Sequence, residues 1–196
     1  MNDGTPLGMH SSVAITLPPW VTSAVDWQRP YEHDHEKMSL AVALARLNVE
    51  RDTGGPFGAA VFERDTGRLV GVGVNSVVRL NCSSLHAEVV ALMLAEQERH
   101  SFTLAAPGLP RHELFTSCEP CAMCLGAMLW SGVKRLVCAA TRDDAMRLGF
   151  DEGPVFPASY TYLEHAGIEV VREVCRAEAR AVLELYHDRS GPIYNA

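Results

Sequence analysis

Two short runs carry the residue types that can do chemistry together, His86-Ala87-Glu88 and Pro120-Cys121-Ala122-Met123-Cys124. Cysteines at i and i+3 on a first helical turn point to the same side, so both sulfurs can hold one ion. A helix N-terminus favours thiolate over thiol, and thiolate is the form that ligates. One imidazole and two thiolates make a three-ligand set, and a three-ligand zinc site keeps its fourth position for water, as catalytic rather than structural zinc does. Glu88, two residues past His86, then reaches that water as a proton acceptor without ligating. Each piece alone has a plainer reading: a capping histidine, a redox C-x-x-C, a glutamate serving the helix dipole. Together they read as one hydrolytic metal centre held by His86, Cys121 and Cys124.

Cys118 extends the second run to Cys118-x-x-Cys121-x-x-Cys124, which superficially resembles an iron–sulfur spacing. Such a run needs a fourth thiolate, and residues 125–137 contain no cysteine. Pro120 also separates Cys118 from the helix that carries the other two. Cys118 is therefore expected to pack as a small apolar side chain at a strand end.

Elements must bring the two runs together. From Asp34 to Asp52 apolar residues recur at Met38, Val42, Leu44, Ala45 and Val49, a helical pattern closed by Gly54-Gly55. Ala59–Glu63 and Leu69–Val78 read as strands joined by the turn Asp65-Thr66-Gly67. Leu85 to Glu98 predicts a second helix and Glu113–Ser117 a short strand. Pro120 opens a helix through Trp130, proline being favoured at the first helical position. Arg135–Ala140 is a continuous apolar strand of the buried type. Ile168–Val174 reads as another strand and Ala177–His187 as the last helix. Helix, two strands, then strands alternating with helices predict a three-layer α/β/α sandwich around a mixed five-stranded sheet, antiparallel at one edge and parallel elsewhere.

Residues 31–196 fill this one domain. Residues 1–30, with four prolines and two tryptophans, Trp20 and Trp27, form an N-terminal arm that is either a loose tail or a packed segment, in the second case against a second subunit. The net charge of −7 counts against a partner with a phosphate backbone, which usually meets a basic patch. The first Arg or Lys is Arg29, so a secretory leader lacks its charged start. No stretch nears the ~20 apolar residues that span a bilayer. Three of six cysteines are clustered, which suits metal chemistry in a reducing, cytoplasmic compartment better than disulfides.

The two chemical runs together match the H-x-E … P-C-x-x-C signature of zinc deaminases, in which the glutamate is the general acid/base. Beyond that signature, Gly54-Gly55-Pro56-Phe57-Gly58-Ala59, Leu85-His86-Ala87-Glu88-Val89, Thr116 to Ala127 and Leu148-Gly149-Phe150-Asp151-Glu152-Gly153-Pro154 resemble the bacterial guanine deaminases of the cytidine-deaminase superfamily. The resemblance runs from about Tyr31 to the C-terminus. It implies a cytidine deaminase-like fold, a Zn2+ cofactor, and hydrolysis of a free purine base, guanine to xanthine and ammonia, within purine metabolism. It also implies site roles. Phe57 is a pocket wall, Asn75 and the backbone near Ala87 orient the base, and Glu88 is the catalytic proton shuttle. Glu152 reads the purine edge and passes a proton to the leaving amine, against a plainer reading as a solvated turn carboxylate. In similar enzymes C-terminal segments are exchanged in a homodimer, so Tyr194 caps a pocket, its own or the partner's. Other substrates compatible with the same centre are guanosine, a cytosine nucleoside, an ammeline-like triazine, or tRNA adenosine.

Overall fold

The computed structural model describes residues 13–195. Its sheet runs in the order β2-β1-β3-β4-β5, with β1 (Gly58–Glu63), β2 (Leu69–Val74), β3 (His112–Cys118), β4 (Arg135–Ala140) and β5 (Glu169–Val171). The β1 strand is antiparallel to both β2 and β3, while β3-β4-β5 are parallel. One face carries the helices α2 (Asp34–Glu50) and α8 (Arg176–Asp188), packed with Met38, Leu44, Phe62, Phe115 and Leu183. The other carries α4 (Ala87–Glu98), α5 (Ala122–Ser131) and α7 (Pro157–His165), packed with Val61, Leu92, Leu114, Met128 and Leu163. The expected three-layer sandwich and mixed sheet are both present.

Because β2 and β3 each pair antiparallel to β1, they run parallel to one another. The helix after each therefore starts at the same end of the sheet. Gly73 lets α4 lie directly on β2: a Cβ there would stand 2.0 Å from the Ala87 carbonyl oxygen.

Several boundaries differ from the sequence expectation. The β2 strand stops at Val74 rather than Val78. Residues Val77–Leu80 instead make a helical turn, α3, stopped by Asn81 in the left-handed region at φ 51°. Pro120 is not the first helical residue of α5. Cys121 is the extended N-cap and Ala122 begins the helix. The α4 helix likewise begins at Ala87, with His86 as its extended N-cap. The β5 strand is only three residues long. Three short helices are additional: α1 (Trp20–Ala24), α6 (Arg142–Met146) and α7. A capping box on Thr141 and Asp144 starts α6, and Pro157 starts α7.

The arm is packed from residue 13 onward only in part. Trp20 is 8% exposed and joins the α2 core with Val21 and Val25, whereas Trp27 is 37% exposed. Its first twelve residues lie outside the described ones.

Candidate active site

The two chemical runs meet because each ligand-type residue is the N-cap of its helix. His86 caps α4 and Cys121 caps α5, and α4 touches α5. Nδ1 of His86 stands 3.5 Å from the Cys121 sulfur and 3.6 Å from the Cys124 sulfur. Among the described residues, these three are the ones whose ligand atoms converge as a metal-holding group. Zinc bonds of about 2.0–2.1 Å to nitrogen and 2.3 Å to sulfur, at a tetrahedral angle, separate the two ligand atoms by about 3.6 Å. The donor set and its spacing therefore fit zinc, and the nitrogen that faces the sulfurs is Nδ1. Cys118 stays apart: it is buried at the end of β3, its sulfur 3.6 Å from the Thr141 carbonyl.

The surrounding pocket is lined by Phe57, Asn75, His86, Glu88, Glu119, Cys121, Glu152 and Asn195, and its open volume is about 20 Å³. Of the expected site residues, Phe57, Asn75, His86, Glu88, Cys121 and Glu152 all face it. Cys124 lies behind Cys121, fully buried. Ala87 contributes no side chain to the pocket and is buried as the first residue of α4. Glu119 and Asn195 were not expected there. Glu119 follows Cys118 in the ligand loop, and its carboxylate accepts the Arg142 N–H at 2.9 Å. Asn195 reaches the site from the far end of the chain.

Asn75 sits just past the end of β2, buried. Its Oδ1 accepts the Val77 N–H at 3.3 Å, and its Nδ2 has no partner. That free amide donor suits a carbonyl oxygen of a ligand. The Glu152 side chain is no solvated turn group: the residue is 5% exposed, and its carbonyl accepts the Ala122 N–H at 3.0 Å. Burial pushes its carboxyl up to about 8, and the charges of Cys121 and Glu88 add to the shift. Burial likewise raises Glu88, with Cys121 contributing. The bond from Cys124 holds Cys121 down at about 4 in spite of burial, with His86 adding to it. The same bond and burial drive the Cys124 thiol upward. A divalent cation here would be the largest local charge, favouring both thiolates and pulling both carboxyls back toward ionisation.

The C-terminal tail lies over its own chain's site. The Tyr194 ring is 6.4 Å from the His86 ring and 5.4 Å from Phe150. Asn195 pairs reciprocally with Asp151: Asp151 N–H to the Asn195 carbonyl at 2.9 Å, and Asn195 Nδ2 to the Asp151 carbonyl at 2.8 Å. Upstream, the Tyr186 hydroxyl donates to the Pro192 carbonyl at 2.7 Å.

Residues 31–140 match the family model described as the cytidine and deoxycytidylate deaminase zinc-binding region. A guanine deaminase from Bacillus subtilis (strain 168) is 39% identical over 124 residues, covering 63% of this chain and 75% of that protein. The structure of a guanine deaminase from Nitrosomonas europaea is 44% identical, with a TM-score of 0.87 over 92% of this chain and 98% of that one. A structure of the protein NE0047 in complex with 2,6-diaminopurine is 46% identical, with a TM-score of 0.88 over 94% and 97% of the two chains.

Proposed function

The chain belongs to the cytidine and deoxycytidylate deaminase family, and we propose that within it this protein hydrolyses guanine to xanthine and ammonia. It is a zinc-dependent aminohydrolase. The observation that carries the choice of substrate is the meeting, in one pocket, of the unpartnered Asn75 amide and the buried Glu152 carboxyl beside the His86/Cys121/Cys124 group. Likeness to guanine deaminases over most of the chain supports the same choice.

Zinc held by His86 Nδ1, Cys121 Sγ and Cys124 Sγ would supply the Lewis acidity that makes a water nucleophilic near neutral pH. Asn75 donates from Nδ2 to the base carbonyl and fixes which carbon faces that water. Phe57, edge-on to Phe150 at 5.1 Å, walls the ring plane. Glu88 takes the water's proton and delivers it to the ring nitrogen next to the attacked carbon. Glu152 donates a hydrogen bond to the exocyclic amine and gives it a proton as the C–N bond breaks and ammonia leaves, and the remaining proton of the added hydroxyl returns to Glu152 as the new carbonyl forms. Water and guanine then balance xanthine and ammonia. Tyr194 closes the pocket from the tail and keeps bulk water out.

We place the enzyme in the cytoplasm, where its cysteines, free among the described residues, stay reduced. No helix among the described residues is long and apolar enough to cross a membrane. A homodimer fits the surface of α5 and α7. Their shared groove, about 420 Å³, is lined by uncharged residues from Ala122 to Leu163, with Trp130 nearby at 83% exposure. An uncharged face is where two copies of a chain with net charge −7 can meet.

The test is ammonia release from guanine, guanosine, cytidine, adenine and ammeline by metal-replete protein. Guanine should turn over fastest. Turnover of another member of the panel with none of guanine would overturn the assignment. Light scattering should return a dimer, and a monomer at micromolar concentration would refute that arrangement.

A further inference from the structure

The side chain that holds the base-reading residue in place lies outside the pocket. Asn48, on α2, is fully buried. Its Nδ2 donates to two carbonyls at once, Asn75 at 2.9 Å and Gly55 at 2.9 Å. Its Oδ1 accepts the Thr53 hydroxyl at 2.7 Å. Thr53 Oγ1 in turn accepts the Trp20 indole N–H at 3.1 Å. An unbroken chain of hydrogen bonds thus runs from the N-terminal arm, Trp20 to Thr53 to Asn48, to the backbone of Asn75. There is no slack at its inner end. A Cβ on Gly54 would stand 2.1 Å from the Asn75 carbonyl oxygen and 2.6 Å from Asn48 Nδ2.

A second route from the same arm reaches the next residue. Arg79 donates from Nη2 to the Thr16 carbonyl and, at 2.9 Å, to the Ser76 hydroxyl. Ser76 Oγ donates onward to the Val74 carbonyl at 3.0 Å, the last residue of β2. Residues 75 and 76 are thereby held from two sides by residues 16 and 20. Both arm residues precede the stretch 31–140 that matches the family model.

We propose that the arm is a positioning element for base recognition, with Trp20, Thr53 and Asn48 as positioning residues that fix the direction of the Asn75 amide. None of the three touches the base. They act through Asn75, so their loss should weaken binding of the base and leave the proton transfers of Glu88 and Glu152 in place. This inference rests on the reading that Asn75 contacts the base. A buried hydrogen-bonded side chain in a bland structural role would, by contrast, change stability alone.

The experiment compares full-length, metal-loaded wild type with Thr53→Val, Thr53→Ser and Trp20→Phe. Thr53→Val keeps the shape but can neither accept from Trp20 nor donate to Asn48. Thr53→Ser keeps the hydroxyl. Trp20→Phe keeps an aromatic ring in the core but removes the donor. Wild type is first run on the base panel above. Should it turn over another member of the panel and none of guanine, the substrate assignment fails on that measurement alone, and the variants are then compared on the substrate it does use. Thr53→Val and Trp20→Phe should raise KM by about two- to tenfold, the scale of one lost neutral hydrogen bond. kcat should stay within about twofold, a margin small against that tenfold. Thr53→Ser should restore the wild-type KM. A lowered Tm in Thr53→Val and Trp20→Phe with unchanged KM would make the chain purely structural and overturn the proposal. So would an equal loss of kcat in both.

Discussion

Gly73→Ala should unload the metal centre from the far side of a helix. The added Cβ would sit 2.0 Å from the Ala87 carbonyl oxygen and 2.6 Å from the Ala91 nitrogen, both backbone atoms that cannot swing away. Ordinary contact begins near 3.4 Å, so the first turn of α4 must retreat by about 1.4 Å. That turn is capped by His86, whose Nδ1 is now 3.5 and 3.6 Å from the two sulfurs. One zinc bond to nitrogen and one to sulfur, laid end to end, reach only about 4.4 Å. A retreat along the N···S direction therefore takes His86 out of bonding range, and a retreat across it turns the ring off axis. Misplacement of a catalytic group by ~1 Å costs about 10²-fold in rate, and overpacking costs about 1–3 kcal/mol in stability. The assays are metal content per chain, kcat on guanine and Tm. Val72→Ala is the control, because Val72 packs into the opposite layer with α2. It should lose stability while keeping metal and kcat. Gly73→Ala with one metal per chain and kcat within about threefold of wild type, far short of the 10²-fold expected, would refute the reasoning.

Three further outcomes are expected. Glu88→Gln should keep zinc and fold but lose turnover by about 10²–10⁴-fold, measured as kcat beside metal content. Glu152→Gln should lower kcat by about 10²–10⁴-fold, since the amide keeps the shape and a hydrogen-bond donor but cannot give the leaving amine its proton. Glu152→Asp should keep part of that activity, whereas equal activity in all three proteins would remove Glu152 from the site. Asp144, bonded to Arg176 at 2.9 Å and to Thr141, is held well below the ordinary carboxylate range, chiefly by that arginine. Its folded pKa is depressed, so its contribution is complete above the unfolded value near 4 and drains away as pH falls toward the folded one. Urea midpoints should therefore drop more steeply below about pH 4 in wild type than in Asp144→Asn.

The metal group was legible because its geometry is local: two N-caps and one i, i+3 pair, each set by a few neighbouring residues. The five strands were legible from apolar runs. What escaped was fixed at long range. The burial of Glu152 cannot be read beside Asp151 and Gly153, because it comes from the Ala122 N–H and from the Asn195 clamp on Asp151. Asn75 was recognisable by resemblance, but the end of its strand at Val74 was not, since Val77 and Val78 extend the apolar pattern into what is a helical turn. Asn48 is a single polar position on a long helix, with nothing beside it to mark it, and only the fold brings its amide to a carbonyl 27 residues away. The capping box of α6 and the proline of α7 were visible signals, too short in span to stand out against helical periodicity.

The tail over the site puts a toll on affinity. A pocket of about 20 Å³ has room for roughly one water, so on the proposed function a purine enters only in molecules whose Asn195, which lines the pocket, has withdrawn with the tail. Apparent affinity is then the intrinsic affinity scaled by the fraction of open molecules. Each tenfold preference for the closed tail weakens capture of the base tenfold, about 1.4 kcal/mol per decade. The pairing of Asn195 with Asp151 and the bond from Tyr186 to Pro192 thus act as ballast: they set how much substrate is needed to hold the door open.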